Sequence, residues 1–181
     1  VIDGTGNPLF HADVAVRDGR IVDVSEKVLG EAAKIIDAEG LAVCPGYIDA
    51  HSHADYTTLV YRDMENVVHQ GITTVVAGQC GSSPAPLSDE IRGEVQKEFD
   101  ARLPEGVELK LTWDTFDEYL REEEKEGLGA NVAHLVGHGA IRAAGMGLEA
   151  RDPTTKELEG MKELTAEAME AGAFGLSTGL I

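Results

Sequence analysis

From Pro45 onward, four short β-prone runs, "GYIDAHSH", "ITTVVAGQC", "NVAHLVGH" and "AFGLSTGL", alternate with helical stretches. A helical crossover returns the chain to the same end of the sheet, so such strands pair in parallel and the fold class is α/β. The clearest helix opens at Thr154, where Thr154 and Glu157 have capping-box spacing and can each satisfy a free amide of the first turn. Leu158, Met161, Leu164 and Ala168 then share a face for core packing, and Gly172 can take the left-handed conformation that ends the helix. Residues 83–129, between the second and third runs, exceed the roughly 2–6 residues of an ordinary connection. They are predicted to carry helices of their own, with Trp113, Phe116, Tyr119 and Leu120 at helical spacing and packed inward.

The segment before these runs reads as a small β unit. "HADVAVRDGRIVDV" alternates apolar positions around Asp18-Gly19, a pair that tolerates positive φ and marks a hairpin, and "IIDAEGLAVCPG" is predicted to add another strand. His11 is a lone loop histidine with no chemistry around it.

Composition removes several function classes. Of 181 residues, 43% are hydrophobic, enough for the core of one domain with a small appendage. Against 15 Lys and Arg stand 33 Asp and Glu, a formal charge of -18, so no nucleic acid or anionic membrane partner is expected. The acidic excess, as in "REEEKEG", is read as solvated surface. No run of about 18 apolar residues exists to span a membrane. Two cysteines, Cys44 and Cys80, make no disulfide framework, and a reducing cytoplasm is the expected compartment.

The residues able to do chemistry gather at the carboxyl ends of the runs. In an extended strand Asp49, His51 and His53 face one way while Ile48, Ala50 and Ser52 face the other, so two imidazoles converge. Neutral histidine donates a nitrogen lone pair to a metal at about 2.0–2.1 Å. His-x-His alone is a modest signal, but its place at a strand's carboxyl end, where α/β folds collect catalytic groups, strengthens it. The second run ends at Cys80, bracketed by Gly78 and Gly81. Its thiolate is a candidate zinc ligand, the competing reading being an inert buried residue; flanking glycines allow the close backbone approach that a site needs. Cys44 lies at the amino end of the first run, distant from the histidines. His138 ends the third run as a substrate contact or a support behind the ligands, weighed against a structural role. His134, a layer deeper, is a core histidine, and His69 a helix-end residue. Ser177 and Thr178 end the fourth run and can line the pocket, with Ser177, like His138, a candidate substrate contact or support behind the ligands.

"PGYIDAHSH" resembles the P-G-x-I-D-x-H-x-H signature of the amidohydrolase superfamily, metal-dependent hydrolases on a (β/α)8 barrel with a small β-sandwich. More narrowly, "GITTVVAGQCGSSPAPL", "TWDTFDEYL", "NVAHLVGHGAIR" and "AGAFGLSTGLI" are similar to successive blocks of the N-acyl-D-amino-acid deacylases, or D-aminoacylases. The resemblance implies residues 1–43 as part of the β-sandwich domain and 44–181 as strands 1 to 4 of a TIM-like barrel, an amino-terminal portion of a longer protein. It implies His51 and His53 as first-strand ligands and Cys80 as a thiolate ligand, holding one or two zinc ions. Many binuclear relatives bridge two metals with a carbamylated lysine on the fourth strand. "AFGLSTGL" has no lysine, which disfavours dihydroorotase-like and dihydropyrimidinase-like readings and leaves the anion to Cys80. Two further histidines and a proton-shuttle aspartate, which the family takes from later strands, are expected beyond Ile181, so this portion alone is expected to be inactive.

The implied activity is zinc-dependent hydrolysis of N-acyl-D-amino acids to a D-amino acid and a carboxylate. Its rivals are another amidohydrolase acting on linear or cyclic amides, a cysteine hydrolase with Cys80 as nucleophile, and a non-catalytic truncated barrel.

Overall fold

The Asp18-Gly19 pair turns the chain as its chemistry requires: φ is 51° at Asp18 and 71° at Gly19. In the computed structural model, which describes residues 1–179, this turn joins β1 (Asp13–Arg17) to β2 (Arg20–Ser25) in an antiparallel hairpin, with a bulge between Ala15 and Val16. The hairpin belongs to a compact unit of residues Val1–Gly46. The further strand expected over "IIDAEGLAVCPG" does not form; the segment is tied to the start of the chain by the Ile2 amide, which donates to the Val43 carbonyl at 2.8 Å. Ile35 and Ile36 remain exposed, because no neighbouring strand pairs with them among the described residues.

The second unit begins at Tyr47. Its four parallel strands, β3 (Tyr47–Asp49), β4 (Ile72–Ala77), β5 (Asn131–Gly137) and β6 (Gly175–Ser177), lie in sequence order across the sheet. The strand–helix alternation thus produces the expected α/β sheet. Leu180, the last residue of the fourth predicted run, lies outside the described residues. Helices α1 (Glu65–Val68), α2 (Asp89–Asp100), α3 (Phe116–Glu124), α4 (His138–Met146) and α5 (Thr155–Ala171) fill the connections.

Thr154 and Glu157 form the capping box that opens α5, and Gly172, at φ 117°, closes it. Met161 and Ala168 are buried on its inner face, whereas Leu158, expected beside them, is 43% exposed. The long connection carries α2 and α3 as expected. A second capping box, Thr115 with Glu118, opens α3, so Trp113 precedes the helix instead of joining it. Trp113 is nonetheless core: it packs on Tyr119 at 5.3 Å between ring centroids, and its indole N–H donates to the Pro84 carbonyl at 2.8 Å. Phe99, Phe116, Val136 and Ile141 belong to the same core.

Candidate metal centre

Strand β3 stops at Asp49, so the convergence of the two histidines is not the strand alternation anticipated from the sequence. The Asp49 carboxylate accepts the His51 backbone N–H at 3.1 Å and bends the chain at that point. The Ser52 amide donates to the Val76 carbonyl at 3.0 Å, keeping the bend against β4. His53 then precedes a 3-10 turn over Ala54–Tyr56. The two imidazoles come to rest edge to face with centroids 5.7 Å apart.

Cys80 approaches from the loop after β4, where φ is positive at Gly78, Cys80 and Gly81. Its Sγ lies 3.4 Å from His51 Nε2. One donor atom from each of His51, His53 and Cys80 falls within 4.8 Å of the others, and all three residues are exposed. With zinc–nitrogen bonds of about 2.0–2.1 Å and a zinc–sulfur bond of about 2.3 Å, a tetrahedral ion sets nitrogen and sulfur about 3.5 Å apart. The His51–Cys80 spacing matches that edge, and two imidazoles with one thiolate are donors zinc favours. The donor set therefore fits the metal.

The other candidate residues separate in role. Ser177 is buried at the end of β6; its hydroxyl accepts from the Gly81 amide at 3.0 Å and donates to the Gly78 carbonyl, bridging the Cys80 loop. His138 opens α4 with an exposed ring that makes no hydrogen bond among the described residues. It borders a shallow apolar hollow with Leu158, Met161 and Leu176. Thr178 is exposed. Cys44 is a free, exposed thiol in the first unit, and His69 caps the end of α1. His134 is the core histidine expected, its Nε2 2.5 Å from Glu123 Oε2.

That partner was not foreseen, because "REEEKEG" reads as solvated surface. Glu123 is 4% exposed, and its Oε1 accepts from the Thr58 and Tyr119 hydroxyls. Burial alone would raise the Glu123 carboxyl, but the hydrogen bond and charge of His134, with the two hydroxyl donors, hold it below the ordinary carboxylate value. Burial, with the Glu123 and Asp55 charges, pushes the Tyr119 phenol well up, so it stays a donor. The Tyr119 hydroxyl also lies 3.2 Å from the Asp55 carbonyl. Asp55, two residues past His53, was assigned no role from the sequence. It is 1% exposed, and neither carboxylate oxygen has a hydrogen-bond partner among the described residues. Burial raises this carboxyl to about 6, with the His134 charge offsetting part of the effect.

A family model described as "Amidohydrolase family" matches residues 34–180. The chain belongs to the amidohydrolase family. It is 42% identical over 179 residues to N-acyl-D-aspartate deacylase of Alcaligenes xylosoxydans xylosoxydans, covering 99% of this chain and 35% of that protein. Among solved structures, a D-aminoacylase described with a binuclear metal centre superposes with a TM-score of 0.85 at 39% identity, over 98% of this chain and 36% of that one. N-acyl-D-glutamate deacylase from Bordetella bronchiseptica, complexed with zinc and a phosphonate mimic of the tetrahedral intermediate, gives a TM-score of 0.82 at 37% identity, with 98% and 36% coverage. The likeness to N-acyl-D-amino-acid deacylases thus runs along nearly the whole chain, and its parallel α/β sheet of four strands in sequence order is consistent with part of a TIM-like barrel. The chain spans about a third of the length of these relatives.

Proposed function

We propose that this chain contributes to a zinc-dependent hydrolase that cleaves the amide bond of N-acyl-D-amino acids, releasing a D-amino acid and a carboxylate. The observation that carries the reading is the convergence of His51, His53 and Cys80 from two successive strand ends, with donor atoms within 4.8 Å of one another. The likeness to deacylases of N-acyl-D-aspartate and N-acyl-D-glutamate supports the substrate class. When bound, zinc supplies Lewis acidity, which acidifies water toward neutral pH and polarises an amide carbonyl. In this chain His51 and His53 offer neutral nitrogen donors. Cys80 supplies the negative charge that a lysine-free fourth strand does not. Asp49 fixes the bend that aims His51. Free, exposed Cys44 and Cys80 suit a reducing cytoplasm.

A second reading has its own support. A thiol 3.4 Å from an imidazole nitrogen is also the spacing of a nucleophile and its base. Chelation separates the two in the full protein supplied with N-acetyl-D-aspartate or N-acetyl-D-glutamate. Loss of D-amino acid release on chelation, restored by added zinc, is the expected result. Activity indifferent to chelation overturns the metal reading in favour of the thiol.

A further inference from the structure

We propose that Ser177 is a positioning residue that holds the Cys80 sulfur in its ligating direction; the inference rests on the metal reading above. Cys80 is a non-glycine residue in the left-handed region, at φ 56°. Such a conformation costs free energy and persists only where surrounding contacts determine it. Those contacts converge on the peptide groups around Cys80. The Ser177 hydroxyl accepts from the Gly81 amide at 3.0 Å and donates to the Gly78 carbonyl, so one side chain grips the loop on both sides of the cysteine. A serine hydroxyl has one proton to give, and here it is given to Gly78 while a lone pair receives Gly81.

The seat is also shaped for close approach. A Cβ added at Gly179 would lie 2.2 Å from the Cys80 carbonyl oxygen, and one at Gly137 would lie 2.5 Å from that of Gly81. The Gly139 amide donates to the Gly81 carbonyl at 2.8 Å, tying the same loop to the start of α4. Ser177 is 8% exposed, so neither bond is readily exchanged for water. Held in this way, Cys80 directs Sγ to within 3.4 Å of His51 Nε2. Without the hydroxyl, the Gly81 amide and Gly78 carbonyl lose their common partner, and the strained turn is held by fewer bonds on either side of Cys80.

Cobalt(II) is the probe, because a thiolate on cobalt gives a near-ultraviolet charge-transfer band that imidazole ligands do not. The full protein, freed of metal, is titrated with cobalt against a competing chelator. Ser177→Ala is expected to weaken cobalt binding roughly 10–100-fold, the usual effect of losing a support behind a ligand, and to reduce the thiolate band. In a Cys80→Ala background, Ser177→Ala should change affinity little further. Wild-type affinity and band in Ser177→Ala overturn the proposal, as does an equal loss of affinity in the Cys80→Ala background. Should Ser177→Ala fail to fold, Ser177→Thr keeps the hydroxyl and adds no competing thiol: wild-type affinity and band support the proposal, and a weakened thiolate band in the folded variant overturns it. Absence of the thiolate band from the wild type would instead overturn the metal reading itself.

Discussion

Gly78 stands where a side chain has no room. Its φ is 78°, and an added Cβ would lie 1.9 Å from the Leu135 carbonyl oxygen, a backbone atom held in β5. Gly78→Ala combines a left-handed alanine, about 1–3 kcal/mol, with overpacking against backbone, about 1–3 kcal/mol more. A loss of roughly 2–6 kcal/mol is expected in urea unfolding of the full protein. Gly93→Ala is the control: Gly93 lies within α2 with nothing within 4 Å of the added Cβ, so the change should be neutral or stabilising. Equal effects at the two positions would show that the Cys80 loop does not depend on close backbone approach. At this scale the sequence was informative about which residues converge and less so about how. The glycines bracketing Cys80 marked a close approach, and His51, His53 and Cys80 do meet. Their route differs, because β3 lasts only three residues and the Asp49 carboxylate, not pleating, sets the direction of His51. Asp55 gave no signal of its own, since a buried aspartate and a solvated one look alike until a fold surrounds them.

Helix α3 shows what a charge run can conceal. Phe116, Tyr119 and Leu120 continue by helical spacing to Glu123, so a carboxylate lies on the stripe that faces the core. The local signal was read at α5, where the Thr154–Glu157 box forms, but the same T-x-x-E spacing at Thr115–Glu118 was passed over, so Trp113 was expected on a helix that starts after it. The burial of Glu123 was not legible, because it depends on Thr58 and His134, which lie 65 and 11 residues away in sequence. The Glu123 carboxyl is held below its unfolded value of 4.5 by these partners. Its contribution to stability is therefore fully present above about pH 4.5 and is lost as pH falls through the lower, folded-state value. Glu123→Gln keeps the shape but not the charge-assisted bonds, and should cost roughly 1.5–3 kcal/mol at pH 7. It should also flatten the loss of stability below about pH 4.5, measured by denaturant unfolding of both proteins across that range. An unchanged acid slope in Glu123→Gln would assign the slope to other carboxylates.

Over the whole molecule, the strand–helix alternation was readable because each unit of it is local, and the sheet order β3-β4-β5-β6 follows the sequence. The expected strand at residues 35–46 failed for the opposite reason: a strand needs a partner, and partners are not written into a short run of apolar residues. The metal donors share this non-local character. His51 and Cys80 are 29 residues apart, so they meet only once β3 and β4 have paired. An ion that binds the folded arrangement and not the unfolded chain stabilises the fold by mass action, by about 2.7 kcal/mol when free ion reaches about 100 times its dissociation constant. Zinc should accordingly raise the unfolding free energy of the full protein by about that amount, and chelation should reverse it. Cys80→Ala should remove most of the gain, whereas Cys44→Ala, in the other compact unit, should leave it intact. If zinc stabilised Cys80→Ala as strongly as the parent, the thiol would not be a ligand, and its convergence with the two imidazoles would be a property of the fold without a function in it.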